Sequence, residues 1–136
     1  KLSESGNTSN LFLNGMYLLK RSDLLVASGQ IDQATLLLSE AIENNTFNKI
    51  HNDVAIYKLL MINIETLSIE EIKSYQDKLI SEVDAFYLIE ELVAIKFLID
   101  GKNEEAIKRL TELSVNNNVP IEIKNRSAVF IKIANQ

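Results

Sequence analysis

Apolar residues along this chain recur three and four positions apart, as in Ile69, Ile72, Leu79 and Ile80 with Gln76 between them, rather than at the alternating spacing of a half-buried strand. Breakers are few and lie between the periodic segments: Gly29, Gly101 and Pro120, with Gly6 and Gly15 near the start. This pattern predicts an all-α fold of seven helices, over roughly 9–28, 31–44, 47–66, 69–81, 84–100, 104–116 and 120–135. Local signals agree. Ser68 and Glu71 fit a capping box opening the fourth helix, Asp84 and Asn103 are good N-caps for the fifth and sixth, and Pro120 suits the first turn of the seventh.

One-sidedness alternates from helix to helix. The second shows Ile31, Ala34, Leu37, Leu38, Ala41 and Ile42 on one face, and the sixth sets Ala106, Ile107, Leu110 and Leu113 against Lys102, Glu105, Lys108, Arg109 and Glu112. Odd-numbered helices are apolar nearly all round, the fifth most clearly, and such helices must be covered from several directions. A stack of antiparallel hairpins, with each first helix sandwiched between neighbours and each second helix outside, calls for this alternation; a simple four-helix bundle does not.

The chain also repeats itself. "SGQIDQATLLLSEA" at 28–41 returns as "DGKNEEAIKRLTEL" at 100–113, an offset of 72 that pairs Gly29 with Gly101, Asp32 with Glu104, Ala34 with Ala106, Leu38 with Leu110 and Glu40 with Glu112. A glycine closes one helix in the left-handed conformation, and a small alanine lets the next helix approach closely. That is the turn of a helical hairpin, and the offset is about two units of the 34-residue tetratricopeptide period. A further hairpin lies between the copies; there Ile72 takes the alanine's place and the turn, "ETLSIEEI", has no glycine.

At these residues the chain resembles the tetratricopeptide-repeat family: a glycine before the second helix (Gly29, Gly101), an alanine five residues on (Ala34, Ala106), an apolar residue four beyond (Leu38, Leu110), and Pro120 near the end of the last copy. The family's aromatic and Leu-Gly positions of the first helix are not met; the last copy offers Glu90, Val93, Ala94 and Phe97 there. The array is therefore degenerate. Residues 85–135 look like the degenerate repeats of bacterial membrane-anchored proteins similar to the ancillary subunit of the SecY translocon. The resemblance, from Tyr17 onward, implies a membrane helix before Lys1, a domain on the periplasmic face of the inner membrane, and a role as a protein-binding or chaperone-linked platform. Projecting the family's groove onto the inner helices suggests Tyr57, Met61, Leu88, Glu91 and Ile95 as partner-binding residues.

With 136 residues the chain is the size of one domain, 1–136, with 1–8 read as a lead-in. A net charge of −5 disfavours a nucleic-acid partner held by a broad basic patch. The absence of cysteine excludes thiolate catalysis, thiolate metal sites and disulfides. The longest apolar stretch, 85–99, is broken by Glu90, Glu91 and Lys96, so a membrane is expected only through a segment outside this chain. The chain begins at Lys1 rather than a methionine, which leaves room upstream for such an anchor.

No constellation for chemistry is complete. His51, the only histidine, has Asp53 nearby but no second histidine or cysteine to complete a metal site, and reads as a surface or capping residue beside an Asn. Glu70, Glu71, Glu104 and Glu105 favour helix N-termini; Glu90 and Glu91 are a narrow wet stripe on the fifth helix or the lining of a partner groove. Serines 22, 39, 68 and 114 lack an activating motif, no glycine-rich loop follows a strand, and the sequons at Asn7, Asn44 and Asn125 fit chance in an asparagine-rich chain. No enzyme activity and no cofactor are expected.

Both ends carry an apolar surplus. A terminal helix of a stack keeps a polar outer face, yet the first helix shows Leu11, Phe12, Leu13, Met16 and Tyr17 and the last shows Val129, Phe130, Ile131 and Ile133. Leu11, Phe12, Leu13 and Met16 are accordingly expected to form an association surface, for a partner or a second copy. The sequence thus reads as a non-enzymatic protein-interaction module; a cytoplasmic helical-repeat scaffold or a homo-oligomerisation domain is the alternative.

Overall fold

In the computed structural model, which describes residues 4–80 and 83–136 (side chains of 10–80 and 84–136), the chain is all-α: α1 (Glu4–Ala27), α2 (Ile31–Glu43), α3 (Lys49–Ile62), α4 (Ile69–Ser74), α5 (Val83–Ile99), α6 (Asn103–Val115) and α7 (Ile121–Ala134). Among the described residues there is no strand. They form two compact units, one from α1–α3 with the short segment after Lys78, the other from Ile64–Lys78 and the chain from α5 onward. In the first, α1 packs on α2, and α3 packs on both. In the second, α5 is packed by α4, α6 and α7, which is why it is apolar on nearly every side.

The two hairpins, α1–α2 and α5–α6, turn in the same way. Gly29 and Gly101 both sit at φ +77°. In the first turn the Gln30 N–H reaches Leu25 O (2.8 Å) and the Gly29 N–H reaches Val26 O (3.0 Å). In the second, Lys102 reaches Phe97 O (2.8 Å) and Gly101 reaches Leu98 O (3.1 Å). These are paired Schellman turns, which satisfy the last carbonyls of one helix while launching the next. Asn45, at φ +53°, closes α2 the same way, with Thr46 N–H on Ala41 O at 2.9 Å. A Gly29→Ala or Gly101→Ala change is expected to cost about 1–2 kcal/mol, because alanine must enter the left-handed region. Urea unfolding of each variant reads this, and a cost near zero would show that the turn relaxes to another conformation.

Equivalence at the 72-residue offset runs well beyond the repeated phrase. Leu19 and Glu91, Ser22 and Ala94, Ala34 and Ala106, Leu38 and Leu110, Ala41 and Leu113, Phe47 and Val119, His51 and Ile123, and Ala55 and Ser127 are all buried. Both units therefore pack one arrangement, a hairpin followed by a third helix, each on its own core. Ile72, expected at the alanine's place, is also fully buried.

Several expected boundaries shift for identifiable reasons. Residues 1–3 of the expected lead-in, and Ser81 at the expected end of the fourth helix, lie outside the described residues; 4–8 are already helical. The fourth helix stops at Ser74 and tightens into a 3-10 turn over Tyr75–Lys78. The Ile80 N–H then goes to the Asp53 carboxylate (3.0 Å) rather than to an upstream carbonyl, and the Gln76 amide goes to Glu90 Oε1 (2.9 Å). Its start is as expected, with Ser68 and Glu71 forming a full capping box. Asp84 and Asn103 are not caps. Asp84 lies in the first turn of α5, and Asn103 is the first residue of α6, because Lys102 O already accepts from Ala106 N–H at 3.1 Å. The N-cap position falls to Lys102, whose side chain has no oxygen with which to accept from the first N–H groups of the helix. Pro120 is the N-cap of α7 rather than its first residue.

Candidate functional site

The apolar cleft of the first unit is built from all three of its helices. Ser22, Asp23 and Val26 come from α1, Leu38 from α2, and Lys58, Met61 and Ile62 from α3, around about 200 Å³. Leu38 is the fully buried floor, and Met61 stands on the edge with 48% of its surface exposed. The one-sidedness of α2 dictates this, since only its Ala34–Leu38–Ala41 face turns inward. Asn63 pins the end of α3 in place: its amide donates to Thr35 Oγ1 and to Leu59 O, both at 2.9 Å.

Polar groups around the cleft are already engaged. Lys58 Nζ lies 2.8 Å from Asp23 Oδ1 across the rim, tying α3 to α1. The Ser22 hydroxyl is buried and donates to Leu19 O at 2.7 Å, so it meets no base that would activate it. What remains is an apolar hollow with an adaptable thioether at its mouth and a charge pair beside it. A wider open depression, about 800 Å³, lies over Gly101–Glu105 and Lys108. It is the N-terminal turn of α6, where Glu104 and Glu105 already face the helix dipole.

Of the five expected groove residues, only Met61 lines this cleft. Tyr57 is half-buried on the same helix, one turn earlier. Leu88 packs against Leu113, Val119 and Ile123, the apolar cluster that α6 and α7 share. Ile95 is half-buried. Glu91 is no groove residue: it is buried, and its carboxylate accepts a two-pronged hydrogen bond from the Arg126 guanidinium, at 3.0 and 2.9 Å. Glu90 likewise serves the fold. It accepts from Gln76 and lies 3.9 Å from Arg109, which also pairs with Glu105 and stacks over the Phe97 ring at 5.1 Å.

His51 proves a core residue rather than a surface one. It is 8% exposed, its backbone N–H donates to the Asn48 cap (2.8 Å), and its ring packs against Phe12 at 4.8 Å between centroids. The imidazole fits because Gly15 of α1 has no side chain; a Cβ there would lie 2.3 Å from His51 Nδ1. Asp53 does not serve His51 but holds Asn52 and Ile80. Among the described residues, no group of three or more His, Cys, Asp or Glu is arranged to hold a metal ion.

Of the expected association surface on α1, Phe12, Leu13 and Met16 are exposed and Leu11 is half-buried. Tyr17 and Leu24 extend the exposed stripe along the helix. Sequence reasoning missed the floor of the cleft and the Asp23–Lys58 pair, since a contact across 35 residues leaves no local spacing signal. Compared with protein-family models, with curated proteins and with solved structures, the chain gives no significant match.

Proposed function

We propose that this chain is a non-enzymatic protein-interaction module of degenerate tetratricopeptide-like hairpins, which seats an apolar anchor side chain of a peptide segment in the cleft at Val26, Leu38, Met61 and Ile62. The observation that carries this reading is an apolar hollow whose neighbouring polar groups are already paired, with an exposed methionine at its edge. Such a seat gains from desolvating an apolar side chain, and the Lys58–Asp23 pair offers both signs of charge to the flanking peptide.

Selection of peptides from a random library, followed by amide chemical-shift mapping, tests it. Shifts are expected to centre on Val26, Leu38, Lys58, Met61 and Ile62. Met61→Glu should weaken binding by about tenfold or more, since a carboxylate would then be desolvated in the hollow. Failure to select any peptide, or shifts centred elsewhere, would overturn the assignment.

We further propose, on the resemblance of residues 85–135 alone, that the module is the periplasmic part of a bacterial membrane-anchored protein linked to translocation or chaperoning. No helix among the described residues is long and apolar enough to cross a membrane. The anchor would therefore be an upstream run of about 20 apolar residues flanked by Lys or Arg. A hydrophilic upstream sequence would remove this placement and leave the cleft proposal standing.

A further inference from the structure

Leu13, Tyr17, Lys20 and Leu24 of α1 follow one another at spacings of four, three and four, the a/d rhythm of a coiled-coil seam, and all four are exposed. The inward face of the same helix, at Gly15, Leu19 and Ser22, is consumed by the packing of the first unit. The outer stripe is therefore left unpartnered within the first unit, a short seam of about three helical turns. Leu13 is 61% exposed, Tyr17 63% and Leu24 69%.

We propose that this stripe pairs with its counterpart on a second copy of the chain, the two α1 helices running antiparallel. Turned end for end, the stripe is complementary to itself: Leu13 meets Leu24 of the second copy, Tyr17 meets Lys20, and Met16 meets Arg21. In that register the ammonium of Lys20 lies against an aromatic ring and its stem covers apolar surface. A parallel pairing would instead set Lys20 against Lys20. At roughly 200 Å² for a large side chain, the exposed parts of Leu13, Met16, Tyr17 and Leu24 amount to about 500 Å² per copy. A pair then buries at most about 1,000 Å², the lower end of a specific interface, so the dimer is expected to be weak and reversible, and a dissociation constant on the order of 10–100 µM is the range to probe. This surface is separate from the peptide cleft, and neither proposal depends on the other.

Sedimentation velocity between about 1 and 500 µM, bracketing that constant, is expected to show a monomer–dimer equilibrium. Tyr17→Glu should raise the dissociation constant at least about tenfold with unchanged helicity and, at a concentration where the parent is monomeric, an unchanged thermal midpoint, since the side chain is exposed. Because the chain has no cysteine, single-cysteine variants report the register. A mixture of Leu13→Cys and Leu24→Cys chains should form a mixed disulfide dimer, and Leu13→Cys alone should not. A monomer throughout would overturn the proposal. So would efficient self-cross-linking of Leu13→Cys, which reports a parallel pair, or loss of the dimer on Val129→Glu, which reports a head-to-tail contact through α7.

Discussion

Replacing Arg126 by alanine is expected to destabilise the chain by about 2–3 kcal/mol, although its own side chain is 46% exposed. The cost falls on its partner. Glu91 is 2% exposed, and without the guanidinium its carboxylate is left charged inside the fold. Partial access of water through the vacated surface keeps the loss below the ~3–5 kcal/mol of a fully buried pair. The reciprocal change should be milder, since Glu91→Leu removes the buried charge and leaves Arg126 in contact with water. The first unit shows what an apolar version looks like: Leu19 and Val54 stand where Glu91 and Arg126 stand 72 residues later. The double variant Glu91→Leu with Arg126→Val should therefore fall within about 1 kcal/mol of the parent, as apolar replacements of buried ion pairs do. Urea unfolding of the three variants decides it. If Arg126→Ala cost less than about 0.5 kcal/mol, an exposed-pair value, Glu91 would have to be solvated in the folded protein.

Gly15→Ala should also destabilise, by about 1–2 kcal/mol, even though alanine is the better helix former by about 1 kcal/mol. The new Cβ would lie 2.3 Å from His51 Nδ1 and 3.1 Å from Cγ. The imidazole cannot swing clear cheaply, being buried and held against Phe12. Removing the ring should reverse the sign: in a His51→Ala background, Gly15→Ala should stabilise by about 1 kcal/mol, the propensity gain alone. The resulting coupling, about 2 kcal/mol or more, is read by a double-mutant cycle in thermal or urea unfolding. Additive effects would mean that α1 and α3 do not meet at these residues.

Helix content and the hairpin turns were legible because they are local. The spacing of apolar residues marks every helix, and one repeated phrase marks Gly29 and Gly101, the two glycines at left-handed φ. Ser68 and Glu71 were equally plain, as both halves of a capping box lie within four residues. What failed was long-range. Glu91 looked like part of a wet stripe because nothing near it in sequence announces Arg126, and His51 looked superficial because its place depends on a glycine 36 residues upstream. The end of the fourth helix was lost for the same reason, since the Asp53 carboxylate that captures Ile80 lies 27 residues away. Of the candidate surfaces, the apolar surplus of α1 was visible in part, through Leu13, Met16 and Tyr17, but not Lys20 or Leu24, which complete the outer stripe. The cleft of the first unit was not, apart from Met61, because its floor and rim come together only when three helices pack.

The three-residue Schellman turns also bear on how quickly each unit finds its fold. A turn this short brings α1 onto α2, and α5 onto α6, with almost no loop to close, so the first tertiary contacts form between near neighbours in sequence. Chains dominated by such local pairings have low contact order and fold on the microsecond-to-millisecond scale. Each hairpin is thus expected to form before α3 or α7 docks on it, and Gly29→Ala and Gly101→Ala are expected to slow refolding as well as lower stability, which stopped-flow refolding reads.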